Sequence, residues 1–260
     1  MDEERFASML YYPERLPPDL PPPHWASGAR EVWMEAGDGV RIHGLWWPEP
    51  EGRPVVLFLH GNAQEVYSWS LVREDLEQLE CRLLLIDYHG YGKSEGRPHE
   101  EGLYADGRAA LGWLADRGVP PGETVVFGKS LGGAVACDIA GNLKLSGLVL
   151  ESTFTSLASV AHKLFPFAHQ WTPDMEVYDS LSKLAGIHCP VLVIHGEEDL
   201  LIPVEEGLAL FEAANEPKDL FVVEGAGHND VSMYAGRRYG AVIRKWLDRA
   251  EKSETQSSRP

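Results

Sequence analysis

The sequence predicts an α/β protein in which a mostly parallel sheet carries helices on both faces. Short apolar runs rich in β-branched residues alternate along the chain with stretches whose apolar residues recur at helical spacing. The clearest run, at 124–127, ends at a glycine, and a helical pattern follows at once from Leu131. Because open α/β sheets bind ligands at the carboxyl ends of their strands, functional residues are expected in the loops that follow the strands.

The individual elements follow from the same patterns. Runs at 31–36 and 40–47 flank Gly37-Asp38-Gly39 and predict a β-hairpin. Further strands are predicted at 55–59, 82–86, 124–127, 148–150, 191–194 and 220–223, and helices at 69–79, 103–114, 131–139, 204–214 and 232–247.

The chain has 260 residues, of which 44% are apolar and 24% charged, as in ordinary globular proteins, and open α/β sheets often use this length for one domain. Acidic residues outnumber basic ones by 40 to 23, so neither nucleic acid nor anionic lipid is an expected partner. The cysteines, at 81, 137 and 189, lie in or beside apolar patterns and are expected to be free thiols in a reducing compartment. With no signal-peptide pattern and no apolar run near 18 residues, the sequence predicts a cytoplasmic protein without a stable membrane anchor.

The two ends of the chain differ from the body. Residues 1–30 carry six prolines, at 13, 17, 18, 21, 22 and 23, which exclude regular helix and central strand. This segment is expected to pack on the domain of residues 31–250 through the following side chains: Phe6, Leu10, Tyr11, Tyr12 and Trp25. The polar stretch 251–260 is predicted to be a disordered tail.

A short cap is expected at 152–186, between two of the predicted strands. Its apolar residues partly follow helical spacing; they are Phe154, Leu157, Ala161, Leu164, Phe165, Phe167, Ala168, Trp171, Met175 and Tyr178. Such a stripe is more often packing than a ligand surface, yet some of its aromatic side chains could line an acyl pocket.

Residues 128–132, with the sequence Gly-Lys-Ser-Leu-Gly, match the G-x-S-x-G nucleophile elbow between a strand and a helix. Gly128 and Gly132 are needed because side chains there would collide with the strand and the helix. The turn leaves Ser130 exposed above the sheet, at the partly positive end of the following helix. We therefore expect Ser130 to be a nucleophile.

Two Gly-Lys-Ser triplets, at 92–94 and 128–130, could be mistaken for phosphate-binding loops. That motif requires a glycine five residues before the triplet, and Asp87 and Glu123 stand there instead. Nucleotide binding is therefore excluded for both.

A serine nucleophile needs a base, and the base needs an acid to hold its tautomer. His228 lies in a glycine-rich loop after the last predicted strand, and Asp199 follows the strand before it, so Ser130, Asp199 and His228 occur in the chain order of hydrolases of this kind. Other candidate acids are Glu151, Glu197 and Glu198, while Asp87 and Asp230 are expected to be loop or supporting groups.

An oxyanion hole completes such a site, formed by the N–H after the nucleophile and one from a loop after an earlier strand. Leu131 supplies the first, and His60-Gly61-Asn62-Ala63 supplies the second through Asn62. The sequence contains no metal-ligand spacing, so neither a metal nor another cofactor is expected.

Taken together, these motifs resemble α/β-hydrolases of the ABHD type, including members related to protein depalmitoylases and bacterial serine esterases. The matching stretches are 60–63, 87–96, 128–133, 189–199 and 227–230. The resemblance implies catalytic Ser130, Asp199 and His228, oxyanion donors Asn62 and Leu131, and a loop over the site at 87–96. Because no cysteine precedes Cys81, palmitoyl-protein hydrolysis at a membrane is not the expected role.

The predicted function is a serine hydrolase that cleaves short or medium uncharged carboxylic or thio esters through an acyl-enzyme. A serine peptidase or amidase with the same triad is the alternative within enzymes, and a non-catalytic binding scaffold is an alternative outside them. Lys129 either pairs with a carboxylate and steadies the elbow or is a solvated side chain, and the sequence slightly favours the solvated lysine. The expected partner is a small acyl ester, and the oligomeric state is left open.

Overall fold

The computed structural model describes residues 10–141, 143–164 and 177–257. Within them, one sheet of eight strands runs in the order β1-β2-β4-β3-β5-β6-β7-β8. The strands are β1 Arg30–Glu35, β2 Arg41–Trp47, β3 Val55–Leu59, β4 Arg82–Ile86, β5 Thr124–Lys129, β6 Gly147–Glu151, β7 Val191–Gly196 and β8 Lys218–Val223. Pairs β1–β2 and β2–β4 are antiparallel, and every other pair is parallel. The predicted mostly parallel sheet is confirmed.

Helices cover both faces of this sheet, as predicted. They are α1 Val66–Trp69, α2 Val72–Asp75, α3 Glu100–Ala115, α4 Leu131–Ala140, α5 Leu157–Leu164, α6 Ser180–Leu184, α7 Val204–Ala213, α8 Val231–Ala235 and α9 Arg237–Ser257. Helices α3, α4, α6 and α7 bury apolar side chains in one core layer, and α1, α2, α8 and α9 in the other.

Strand β3 shows why an uninterrupted apolar run forms a central strand. Successive side chains of a strand point to opposite faces, so both faces must be apolar where both are covered. Val55, Leu57 and Leu59 belong to one core layer, and Val56 and Phe58 to the other. The carboxyl ends of β3 and its parallel neighbours therefore share one edge of the sheet.

Three predicted elements differ from the structure. The expected helix at 69–79 is two short helices and a 3₁₀ turn at Glu77–Leu79, which ends at Glu80 in a left-handed conformation with φ 46°. The expected helix at 232–247 is divided at Gly236, where φ is +53°. Helix α9 runs on to Ser257, into the predicted disordered tail, because polar residues with good helix propensity can extend a helix that packing has already formed.

The described part of the segment before β1, from residue 10 onwards, contacts the body of the domain. We call residues 10–16 the N-terminal strap. Tyr11 is buried in the core, whereas Tyr12 is 61% exposed and Trp25 is 47% exposed while donating a hydrogen bond from Nε1 to the Tyr67 carbonyl. Phe6 lies outside the described residues.

Only the two ends of the expected cap can be described. Helices α5 and α6 lie within it, Phe154 and Tyr178 are buried, and residues 165–176 lie outside the described residues, together with the predicted side chains Phe165, Phe167, Ala168, Trp171 and Met175. The three cysteines are buried free thiols. In the part of the chain that the structure describes, we find no helix with the length and apolarity needed to cross a bilayer.

Candidate active site

The elbow places Ser130 on a sharply turned backbone between β5 and α4. Ser130 has φ 53° and ψ −120°, a conformation that non-glycine residues avoid and that costs of order 1–3 kcal/mol. A side chain at Gly128 would collide with the backbone of Gly132 and Gly133, and one at Gly132 with the backbone of Leu59. The two motif glycines are therefore required by the close packing of helix α4 against the strands.

The structure brings together Ser130, Asp199 and His228, which lie after three different strands. Nε2 of His228 is 3.1 Å from Oγ of Ser130, and Nδ1 of His228 is 2.7 Å from Oδ2 of Asp199. Both distances are within hydrogen-bond range, so the predicted nucleophile contacts the predicted base, which in turn contacts the predicted acid.

The acid is held in place by the backbone that follows it. Oδ1 of Asp199 accepts hydrogen bonds from the N–H groups of Leu201 (2.9 Å) and Ile202 (2.8 Å), which leaves Oδ2 for His228. Burial alone would raise the pKa of Asp199, but the hydrogen bond and charge of His228 and the backbone bond from Ile202 outweigh it and lower the pKa. Asp199 is therefore held as a carboxylate, with Oδ2 against Nδ1 of His228.

The alternative acids are placed elsewhere. Glu197 and Glu198 are exposed side chains, and Glu197 accepts a 3.3 Å bond from the Gly225 N–H. Glu151 is buried, yet its two oxygens are taken by Nζ of Lys129 (2.7 Å) and by the Tyr239 hydroxyl (2.5 Å). Among these carboxylates, Asp199 is the one bonded to His228.

Of the two interpretations of Lys129, the one that the sequence slightly favoured, a solvated side chain, is wrong. Its ammonium forms an ion pair with Glu151 at 2.7 Å, and the lysine side chain is only 12% exposed. Glu151 also accepts the backbone N–H of Ser130 through its carbonyl oxygen, at 2.9 Å. The residue before the nucleophile and the end of the neighbouring strand β6 are thus joined by side-chain and backbone contacts.

The two residues predicted as oxyanion donors belong to backbone segments that pass beside Ser130. Leu131 is the first residue of α4, where the N–H groups have no partner within the helix. On the other side, a Cβ placed on Gly61 would lie 3.3 Å from Cβ of Ser130, so the backbone just before Asn62 passes close to the serine. The structure therefore places the Asn62 loop and the start of α4 around Ser130.

Three residues that the sequence did not single out also support the site. The hydroxyl of Thr153 donates to the Ser130 carbonyl at 2.7 Å, and the hydroxyl of Tyr91 donates to Oδ1 of Asn62 at 2.7 Å. The hydroxyl of Tyr88 donates to the His60 carbonyl at 2.9 Å. In the sequence, the aromatic-glycine run at 87–96 was the pattern that could have indicated a supporting role for the two tyrosines.

The aspartates expected to support loops do so. Asp230 accepts the Gly227 N–H at 2.7 Å in the loop that carries His228, and Asp87 contacts His43 and the N–H of Val66. Each aspartate accepts hydrogen bonds from its surroundings and leaves the His228 ring free for Ser130 and Asp199.

A cavity of about 560 Å³ lies beside the elbow. Its lining extends from Asn62 to Asn229, the sequence neighbour of His228, and includes Lys129 and Trp69. Both charged and aromatic residues line it, so this space beside Lys129 of the elbow can take a ligand with polar and apolar parts.

Comparisons with known proteins agree with this geometry. A family model described as alpha/beta hydrolase fold matches residues 54–176. Human alpha/beta hydrolase domain-containing protein 17B is 39% identical over 189 residues, which are 71% of this chain and 64% of that protein. The Arabidopsis thaliana alpha/beta hydrolase domain-containing protein WAV2 is 32% identical over 243 residues, covering 84% of this chain and 78% of that protein. The chain belongs to the α/β-hydrolase family, as its motifs suggested.

Solved structures show the same fold. The Pyrococcus furiosus esterase Pf2001 superposes with a TM-score of 0.73 at 20% identity, covering 93% of this chain and 97% of that structure. The overall fold described above is therefore the fold of this solved esterase structure.

Proposed function

We propose that this protein is a serine hydrolase that cleaves carboxylic or thio ester bonds through an acyl-enzyme on Ser130. The observation that carries the proposal is the continuous hydrogen-bonded chain from Ser130 Oγ through His228 to Asp199, with distances of 3.1 and 2.7 Å. A serine hydroxyl is a weak nucleophile by itself, and such a chain is what activates it.

In the proposed reaction, Oγ of Ser130 attacks the carbonyl carbon while Nε2 of His228 accepts the hydroxyl proton. The resulting oxyanion accepts hydrogen bonds from the N–H groups of Asn62 and Leu131, and Asp199 stabilises the imidazolium. His228 then protonates the leaving alcohol or thiol as the acyl-enzyme forms. Water hydrolyses this ester by the same route, with His228 as base, and releases the acid and free Ser130.

The proposed substrates are small, uncharged acyl esters of short or medium chain length. A net charge of −17 disfavours polyanionic ligands, and the cavity beside the elbow has room for a small molecule. The three free, buried cysteines support a reducing, cytoplasmic location. An amide or peptide substrate is the second candidate, because the same triad can attack an amide carbonyl.

Labelling with a fluorophosphonate tests the proposal directly. The wild-type protein is expected to be labelled at Ser130, and Ser130→Ala is expected to lose both labelling and ester hydrolysis. A series of p-nitrophenyl esters of increasing acyl length, run beside matched anilides, then measures chain length and the choice between ester and amide. Absence of labelling, together with no turnover of any ester or anilide, would contradict the proposed chemistry.

A further inference from the structure

The N-terminal strap lies between two loops at the functional edge of the sheet. Its backbone pairs with the loop at 87–96: the Gly92 N–H donates to the Glu14 carbonyl at 2.7 Å, and the Leu16 N–H donates to the Gly92 carbonyl at 2.9 Å. Pro13 forms a parallel bridge with Gln64, in the loop that carries Asn62. The strap therefore joins the two loops that follow β3 and β4.

The Asn62 side chain is the point at which the strap meets the candidate oxyanion hole. Oδ1 of Asn62 accepts the Tyr12 N–H at 3.1 Å, and its Nδ2 donates to the Leu10 carbonyl at 2.5 Å. The same Oδ1 accepts the Tyr91 hydroxyl and the Ala63 N–H. An amide side chain held by donors and an acceptor on the strap and on the neighbouring loop cannot rotate without losing several hydrogen bonds.

The backbone after Asn62 has an uncommon conformation that needs such support. Ala63 has φ 70° and Gln64 has φ 63°, both in the left-handed region that non-glycine residues avoid. Conformations of this kind persist where the surrounding structure over-determines them. The strap contacts the chain at Asn62, just before these two residues, and at Gln64, the second of them.

The far side of the strap is also fixed. The buried hydroxyl of Tyr11 lies 2.6 Å from the hydroxyl of Tyr178, and Arg15 donates from Nη1 to the Ser94 carbonyl at 2.5 Å. Rigid attachment on both sides allows the strap to hold Asn62 in one position.

We propose that the N-terminal strap is a positioning element of the oxyanion hole, acting through the Asn62 side chain to hold the Asn62 N–H towards the reacting carbonyl oxygen. The inference rests on the proposed function. An oxyanion donor is effective only when it is fixed about 2.7–3.1 Å from the place where negative charge develops. Tyr12 and Leu10 contact no reacting atom in this scheme and act by keeping Asn62 in place.

Two variants at Tyr12 separate the backbone bond from the side chain. Tyr12→Pro removes the N–H that Asn62 accepts, whereas Tyr12→Ala keeps this N–H and removes only a ring that is 61% exposed. We expect Tyr12→Ala to keep kcat within about twofold and Tyr12→Pro to lower it about tenfold at unchanged KM, below the 10²–10³-fold loss typical of a deleted donor. The Ki of a trifluoromethyl ketone, whose adduct with Ser130 carries an oxyanion, should rise by the same factor.

Tyr91→Phe provides a second approach that leaves the strap sequence intact. It removes the hydroxyl that donates to Asn62 and retains the buried ring. The expected signature is again a lower kcat and a weaker trifluoromethyl ketone complex at unchanged KM.

A double-mutant cycle decides whether the strap acts through Asn62. Asn62→Ala keeps the catalytic N–H but loses every side-chain anchor, so adding Tyr12→Pro to it should cause no further loss of kcat. Losses that multiply, or a lowered thermal midpoint with unchanged kcat and Ki in the single variants, would overturn the inference. If the wild-type protein is labelled at Ser130, these outcomes reject the strap alone, whereas an unlabelled, inactive wild type rejects the proposed function and the strap with it.

Discussion

Two histidine–aspartate pairs of nearly equal length have different surroundings. In the loop after β8, Nδ1 of His228 lies 2.7 Å from a carboxylate oxygen of Asp199. In the loop after β4, Nδ1 of His89 lies 2.6 Å from a carboxylate oxygen of Asp106. The difference is in the second ring nitrogen. Nε2 of His228 faces the Ser130 hydroxyl at 3.1 Å, whereas Nε2 of His89 faces a carboxylate oxygen of Asp38 at 3.0 Å.

The second partner decides what each histidine can do. A carboxylate on both nitrogens favours an imidazolium, which has no lone pair left to accept a proton. Burial by itself would lower the pKa of His89, but Asp106 and Asp38 outweigh burial and raise it. In its contacts alone, His43 is similar, with a carboxylate oxygen of Asp87 at 2.9 Å from one ring nitrogen and one of Glu31 at 3.0 Å from the other. A short bond to a buried aspartate is therefore common to all three histidines, and the hydroxyl beside the other ring nitrogen is what distinguishes His228.

The largest expected effect separates the two pairs by activity. Asp199→Asn should lower kcat about 10⁴-fold. The amide of the asparagine would donate to Nδ1 of His228 and so favour the tautomer with its proton on Nε2, which cannot accept the Ser130 proton, while the geometry stays in place. Asp106→Asn is the matched control and should keep kcat within a few-fold. Steady-state ester hydrolysis, with circular dichroism to verify folding, measures both, and equal losses in the two variants would remove the distinction.

The positions of the five proposed site residues could be predicted because each follows a strand or opens a helix. Ser130, Asp199 and His228 occur in a fixed chain order, and the edge of a parallel sheet gathers the loops that hold them. Their supports could not be predicted, because they depend on contacts between distant parts of the chain. Tyr239 reaches Glu151 across 88 residues, and Leu10 reaches Asn62 across 52.

Helix boundaries were the weaker part of the fold prediction for a related reason. The apolar spacing at 69–79 is compatible with one helix, but Glu80 adopts a left-handed conformation and the chain there is divided into short turns. Tertiary packing determines such breaks, and local propensity does not encode it.

A second, intermediate effect concerns Glu151, the buried one of the three alternative acids. Lys129→Met leaves Glu151 buried without its cation, and breaking a buried ion pair in this way costs about 3–5 kcal/mol of unfolding free energy. Adding Glu151→Gln should recover most of that loss, because the remaining amide carries no charge. Urea denaturation of the two single variants and the double variant measures the coupling.

The same variants sharpen the comparison of acids. Glu151→Gln should lower stability with a far smaller loss of kcat than Asp199→Asn, since Glu151 contacts Lys129 and Tyr239 and has no bond to His228. A 10⁴-fold loss of kcat in a folded Glu151→Gln protein would instead give Glu151 a catalytic role.

The smallest expected effect is a pH dependence of stability at the non-catalytic pair. The groups that face His89 are Asp106, Asp38 and, edge to face at 5.7 Å, the His99 ring. Because the folded-state pKa of His89 is raised above the unfolded value of about 6.5, its stabilising contribution is complete below that pH and is lost as pH rises through the folded pKa.

Asp106→Asn removes the main carboxylate, so the free energy of unfolding should fall less steeply with pH in this variant than in the wild type. Urea denaturation from pH 6 upwards measures the difference between the two proteins, in which the titration of groups other than His89 and Asp106 cancels. If the free energies of unfolding of the two proteins changed with pH in parallel, His89 would be neutral in the folded protein. The carboxylate on its second nitrogen would then fail to explain how it differs from His228.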